Sequence, residues 1–264
     1  MRILTKGFDL NAFFAHVSAA AKRALLLDYD GTLAPFVLDP RQAAPYPGVL
    51  VALEDLVAAG HTRLVIVSGR WTRDLLPLLK LRARPEIWGV HGRERLMPDG
   101  RYEIEEVPEA TLEVLETADA WAERLAALGA RLERKPASIA FHWRGQPEPQ
   151  IASIRRELER RWASFAGSTE LGLHEFDGGM ELRALGRDKG AVVRTLAAEC
   201  GEGGVIAYLG DDHTDEDAFR AVPESGAAAL VRETFRPTTA QLWLKPPDEL
   251  VTFLRRWTVA RSGP

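Results

Sequence analysis

Cysteine is almost absent: Cys200 stands alone in 264 residues, so neither an intramolecular disulfide nor a multi-thiolate metal site can form. A reducing compartment suits such a chain, and cytoplasmic residence is expected. A large excess of charge of either sign is lacking too. Thirty-four basic side chains against 38 acidic ones leave a net charge of -4, which gives no general attraction for nucleic acid or an anionic membrane. Any anionic substrate must be captured by a few local groups. No stretch approaches the ~18 consecutive apolar residues that a membrane span requires, and no repeat with a period of roughly 20–50 residues is visible, which excludes a solenoid. Arg2, Lys6 and the alanines at 19–21 resemble a secretion signal in outline only, because Asp9, Asn11 and His16 break up the apolar stretch it would need.

With 46% hydrophobic and 27% charged residues the composition is that of an ordinary globular protein with a substantial core. At roughly 150 residues per domain, the length suits two compact units. Arg23–Leu27 is a short apolar run that stops abruptly at Asp28-Tyr29-Asp30-Gly31-Thr32, the pattern of a buried strand feeding a loop. Pro47 opens and Gly60 closes a segment with Leu50, Leu53, Leu56 and Val57 on one face, which reads as a helix. Arg63–Val67 and Ile87–Val90 are further buried strands, and this alternation predicts a doubly wound parallel sheet. From about residue 100 the texture changes. Strands over Tyr102–Val107, Arg131–Arg134, Ser138–Arg144, Glu170–Phe176 and Met180–Leu185 are interleaved with helices over Thr111–Leu128 and Pro147–Phe165. Ile139, Phe141 and Trp143 alternate with Ala140, His142 and Arg144, which leaves one sheet face buried and the other available. The α/β texture returns with a helix over Lys189–Cys200, strands over Val205–Leu209, Ala227–Val231 and Leu242–Leu244, and a helix starting at Pro247. The expected fold is a Rossmann-like, parallel-sheet α/β core, residues 1–98 and 184–264, holding an inserted α+β cap, residues 99–183, built of an antiparallel sheet and two helices.

Open α/β sheets bind ligands at the carboxyl ends of their strands, and three strands here end in polar clusters: Asp28 with Asp30, Ser68, and Asp211 with Asp212. Two aspartates followed by Gly-Thr suit a nucleophile and an acid arranged about a hard cation. Magnesium, which usually keeps several of its waters, needs only a few oxygen ligands. Taken alone, Asp30-Gly31 would also fit a tight turn. The acidic run at 210–217 is not an EF-hand, because His213 falls at the third ligand position and Glu216 replaces the glycine at the sixth.

In order along the chain, Asp28-Tyr29-Asp30-Gly31-Thr32-Leu33, Val67-Ser68-Gly69-Arg70, Lys189 in Arg187-Asp188-Lys189-Gly190, and the run from Gly210 to Asp217 resemble the four signature motifs of the haloacid-dehalogenase-like phosphohydrolases. The resemblance implies that Asp28 attacks phosphorus to form an aspartyl-phosphate. It implies that Asp30 protonates the leaving alcohol and then takes a proton from water. Thr32 and Ser68 would hold phosphate oxygens, and Lys189 would neutralise charge shared by Asp28 and the phosphoryl group. Magnesium would be held by Asp28, by Asp30 through its main-chain carbonyl and by Asp211, with Asp212 and Asp215 orienting waters or Lys189.

Further segments resemble the trehalose-6-phosphate phosphatases: Gly89-Val90-His91-Gly92, Glu133-Arg134-Lys135, Phe141-His142-Trp143-Arg144, and Gly179-Met180-Glu181-Leu182-Arg183 leading into Asp188-Lys189-Gly190. The chain departs from that pattern at Ala184, where proline is expected, and at Trp143, where tyrosine is common. In the family, the positions matching Glu133, Lys135 and Glu181 hydrogen-bond sugar hydroxyls. The implied partner is a small-molecule sugar phosphate, split to trehalose and phosphate. Rival readings are a phosphatase for sucrose phosphate or for a mannosyl- or glucosyl-glycerate phosphate, and a phosphomutase. A non-catalytic sugar-phosphate sensor is a reading from another class, but a sensor could lose Asp28 or Asp30 without penalty. Association with a sugar-phosphate synthase and the oligomeric state stay open. Gly201-Glu202-Gly203-Gly204 precedes a strand and reads as a turn, not a dinucleotide fingerprint, while Trp121 and Trp162 read as packing.

Overall fold

The structure, a computed structural model, describes residues 1–163 and 171–260. The chain forms two compact units, Met1–Ile104 with Asp188–Pro264, and Glu105–Arg187. The helix end expected at Phe165 and the strand start expected at Glu170 lie outside the described residues.

Among the described residues nine strands of the first unit make one sheet. Their order is Arg2–Ile3, Leu242–Leu244, Ala227–Val231, Val205–Gly210, Arg23–Leu27, Arg63–Val67, Glu86–Gly89, Glu94–Leu96, Tyr102–Ile104. Neighbours from Leu242–Leu244 through Glu86–Gly89 run parallel, and the pairings at the two edges are antiparallel. Arg23–Leu27 and Val205–Gly210 are buried along their whole length, because helices cover both faces of a parallel sheet. Successive side chains point to opposite faces. Leu25, Leu27, Ile66 and Leu209 pack with Phe14, Leu53, Phe253 and Trp257 from the helices Leu10–Ala19, Val49–Ala59 and Asp248–Val259. Ala24, Leu26, Val65 and Tyr208 pack with Val192, Leu196 and Phe219 from Lys189–Cys200 and Glu216–Ala221. From the central pair Arg23–Leu27 and Val205–Gly210 the chain winds outward in opposite directions, so the crevice of this sheet opens at their carboxyl ends.

The boundary expected after residue 98 falls too early. Tyr102–Ile104, expected to begin the insert, is the antiparallel edge of the core sheet, with Tyr102 opposite Leu96 and Ile104 opposite Glu94. All three of its residues are exposed, so no alternation marks it as part of a core. The return to the core comes at Asp188 and not at residue 184, because Ala184 completes the insert strand Gly179–Ala184 by pairing with Leu171.

In the second unit four antiparallel strands run in the order Arg131–Lys135, Ser138–His142, Gly179–Ala184, Leu171–Phe176. Ile139, Phe141 and Leu182 pack with Leu115, Trp121, Leu125, Ile154 and Leu158 of the helices Glu109–Ala127 and Glu148–Ala163. Trp121 stacks on Phe141 with ring centroids 6.0 Å apart and planes 2° from parallel. Because Phe141 is fully buried, Phe141→Ala should destabilise this unit by about 3–5 kcal/mol. Hydrogen exchange would read this as lost protection across the strands between residues 131 and 184, and unchanged protection would contradict it. Among the described residues no helix is long and apolar enough to cross a membrane.

Candidate active site

Asp28 and Asp211 each follow the last residue of one of two neighbouring parallel strands, Leu27 and Gly210, so the sheet itself brings their carboxylates together. Asp215 joins them from the turn His213–Asp215. One oxygen of each of the three lies within 4.8 Å of the others, and all three side chains are buried. Lys189 opens the helix Lys189–Cys200, whose start is fixed by Asp188 accepting the Ala191 N–H at 2.6 Å. Its Nζ lies 2.7 Å from Asp28 Oδ1 and 2.7 Å from Asp215 Oδ1. Asp215 also accepts the Tyr208 hydroxyl at 2.6 Å and the main-chain N–H groups of Asp211 and Asp212 at 3.0 and 2.9 Å. Four donors make it a fixed post for Lys189.

Burial pushes all three carboxyls up, and their neighbours sort them. For Asp215 burial is outweighed by the Lys189 charge and by the bonds from Lys189, Tyr208 and the Asp212 amide, which together hold it below the usual carboxylate range. Burial carries Asp28 up to about 7 although the Lys189 charge opposes it. Burial, then the charges of Asp28 and Asp215, drive Asp211 well upward. Lys189 is held up in turn, since the two carboxylates outweigh its own burial.

One ammonium cannot balance three buried carboxylates. Asp211 Oδ2 is buried with no hydrogen-bond partner among the described residues, and Arg232 Nη1 comes only to 3.9 Å. Gly31, at φ +85°, lies so close that a Cβ there would sit 2.1 Å from that same oxygen, so glycine alone fits this approach. An orphaned carboxylate oxygen, an all-oxygen donor set and an excess of buried negative charge fit a small, hard divalent cation. Asp28 and Asp211 offer the oxygens for it, while those of Asp215 are already committed to donors.

Thr32 Oγ1 is buried 3.4 Å from Asp28 Oδ2 and 3.5 Å from Asp211 Oδ1. Ser68 is buried directly after the strand Arg63–Val67, and its Oγ accepts the Arg70 N–H at 3.1 Å. Asp30 is gripped by the Arg70 guanidinium, with Nε at 2.6 Å and Nη2 at 2.5 Å, a two-toothed charge-assisted pair. Of the two carboxylates expected beside Lys189, Asp215 is the one hydrogen-bonded to it, whereas Asp212 caps the following turn by accepting the His213 N–H at 2.7 Å. Sequence reasoning gave no role to Arg70 or Tyr208. Arg70 closes the quoted Val67–Arg70 motif, which was signal enough, but Tyr208 sits inside a wholly buried strand and carries none.

In the second unit Glu133 and Glu181 both stand opposite Ala140, one from each flanking strand, so they share a sheet face with Lys135, two residues from Glu133. Lys135 Nζ lies 3.0 Å from Glu181 Oε1, and Ser138 Oγ donates to the same oxygen at 2.6 Å. His142 Nε2 lies 2.8 Å from Glu133 Oε2. Burial would raise Glu133, but the His142 hydrogen bond and the Lys135 charge bring it down to about 2. Burial likewise opposes the Lys135 ammonium, and Glu181 and Glu133 more than offset it. Ser138 and His142 were not expected in this cluster, although the alternation along their strand had marked the face that carries them as available.

A mostly parallel sheet with buried carboxylates at its crevice, interrupted in sequence by an antiparallel unit, is the haloacid-dehalogenase-like fold. Solved structures agree on the fold. The C-terminal domain of C. albicans trehalose-6-phosphate phosphatase superposes with a TM-score of 0.77 at 20% identity, covering 98% of this chain and 99% of that one. Aspergillus fumigatus trehalose-6-phosphate phosphatase gives 0.65 at 26% identity over 97% and 99% of the two chains. Residues 26–245 match the trehalose-phosphatase family, and the chain belongs to that family. The trehalose-phosphate phosphatase of Mycobacterium marinum is 34% identical over 247 residues, 88% of this chain and 60% of the relative. That of Mycobacterium leprae is 32% identical over 260 residues, 90% of this chain and 58% of the relative. The chain thus spans about 60% of the length of the curated relatives it matches.

Proposed function

We propose that this protein hydrolyses trehalose 6-phosphate to trehalose and inorganic phosphate, with magnesium held by Asp28, Asp211 and the main-chain carbonyl of Asp30. The observation that carries the reading is Lys189 bridging Asp28 and Asp215 beside the orphaned oxygen of Asp211. When bound, magnesium supplies the positive charge that lets two anions, the Asp28 carboxylate and the phosphate ester, come together. An Asp28 oxygen then forms a bond to phosphorus as the bond from phosphorus to the sugar oxygen breaks, giving an aspartyl-phosphate. Asp30 gives a proton to the departing alkoxide and takes one from the water that cleaves the acyl phosphate. Thr32 and Ser68 donate hydrogen bonds to phosphate oxygens, and Lys189 stabilises the charge that builds between Asp28 and the phosphoryl group. The lone Cys200 supports a cytoplasmic setting for this chemistry.

Glu133, Lys135 and Glu181 read the sugar. A neutral disaccharide offers hydroxyls that both donate and accept, and a buried ammonium beside two carboxylates matches them. Lys135→Ala or Glu181→Ala should therefore cost about 1–3 kcal/mol in kcat/KM for trehalose 6-phosphate, while a small aryl phosphate is hydrolysed nearly as before. Equal losses on both substrates in folded variants would mean that these side chains serve the fold and not recognition. The reading as a whole is tested by phosphate release from trehalose 6-phosphate, sucrose phosphate, mannosyl- and glucosyl-glycerate phosphates and monosaccharide phosphates. Trehalose 6-phosphate should give the highest kcat/KM. Preference for another ester would replace the substrate, and no release from any would favour a sensor.

A further inference from the structure

The turn that carries Asp211 and Asp212 is held by a side chain from outside the acidic motif. Arg236 lies in the loop between the strands Ala227–Val231 and Leu242–Leu244, and its side chain is only 12% exposed. Its Nε donates to the Asp211 carbonyl at 3.2 Å and its Nη2 to the Asp212 carbonyl at 2.7 Å. Its Nη1 donates to Glu216 Oε1 at 2.6 Å and to the Pro237 carbonyl at 2.8 Å. Glu216 also accepts the Thr239 N–H at 2.9 Å and the Thr239 hydroxyl at 2.7 Å, so the loop that supplies Arg236 is tied to the same anchor. The N–H groups of Asp211 and Asp212 go to Asp215. The main chain on both sides of the Asp211 side chain is thus pinned from both edges, its amides by Asp215 and its carbonyls by Arg236. A planar guanidinium can do this because its donors point in fixed directions; an ammonium cannot span the same acceptors.

We propose that Arg236 is a positioning residue for the divalent-cation site, fixing the backbone of Asp211 and Asp212 so that the Asp211 carboxylate stands ready to bind. The proposal rests on the reading of a cation at Asp28 and Asp211. It has a sign that separates it from simple electrostatics. A positive charge near a cation site repels the cation, so if charge were the whole effect its removal would tighten magnesium binding. Loss of positioning loosens it.

The test is a magnesium titration without substrate, followed by calorimetry and by the magnesium-dependent rise in Tm, on the wild type, Arg236→Ala and Arg236→Lys. Groups that orient a metal ligand typically matter by about 10–100-fold in affinity, and Arg236→Ala should weaken magnesium binding by about tenfold or more. Arg236→Lys keeps the charge but not the fork and should weaken it nearly as much; it carries the test alone if the alanine variant does not fold. In turnover of an aryl phosphate, saturating magnesium should restore most of kcat, placing the defect in the magnesium dependence. Unchanged or tighter binding in a folded variant overturns the proposal, even where the metal-free Tm falls, since a purely structural residue would do that. A wild type that binds no magnesium overturns the cation reading along with it, and the wild-type titration shows that by itself.

Discussion

Asp28→Asn should abolish turnover on every phosphate ester while leaving the protein folded. The amide has nearly the volume of the carboxylate, and its carbonyl can still accept from Lys189, so the packing around a side chain that is 5% exposed is kept. It cannot form the acyl phosphate, because a neutral amide oxygen is a poor nucleophile. A loss on the order of 10^3-fold or more in kcat is expected. The variant also removes one of three buried carboxyls, two of which are pushed up, Asp28 by burial and the Asp215 charge and Asp211 by burial and the Asp28 charge, so the metal-free Tm should stay within a few degrees or rise. Wild-type rates from a folded variant would end the covalent mechanism.

Removing divalent cations should be comparably severe. Asp28, Asp211 and Asp215 share one buried site with a single lysine, and the substrate brings further negative charge. With nothing to offset that charge, several kcal/mol of transition-state stabilisation should vanish, about 10^3-fold in rate. Chelation followed by dialysis should yield a folded, inactive protein that magnesium restores. Full activity without divalent cation, or restoration by zinc alone, would contradict the all-oxygen, magnesium-type site.

What could be read from the sequence follows from what each residue contacts. Ala24–Leu27 and Val205–Leu209 were legible because strands covered on both faces must be apolar throughout, and the aspartates that follow them had to sit at the carboxyl ends. Arg2–Ile3, Glu94–Leu96 and Tyr102–Ile104 were not legible as parts of the core sheet. Each is only two or three residues long, too short for periodicity, and Tyr102–Ile104 faces solvent, so the core boundary was placed early. Lys189 was recognised from the company of Asp188 and Gly190. Arg236 was invisible because three of its four acceptors are main-chain carbonyls, which carry no residue identity, whereas Arg70 stood in a recognised motif and only its partner Asp30, 40 residues away, was hidden. The cap cluster was half legible: alternation gave the face, but only pairing through Ala140 brings Glu133 and Glu181 to the same row.

In the proposed mechanism the phosphoryl group passes through Asp28. Asp30→Asn isolates that step when the substrate is a nitrophenyl phosphate, whose phenolate leaves with little help from an acid, while hydrolysis of the acyl phosphate still lacks its base. Rapid quenching should show a burst of about one nitrophenolate per protein molecule, followed by slow turnover, and peptide mapping of the acid-quenched protein should find the phosphoryl group on Asp28. Nitrophenolate released without a burst and with no phosphoryl group on the protein, or a phosphoryl group on a residue other than Asp28, would contradict an aspartyl-phosphate at Asp28.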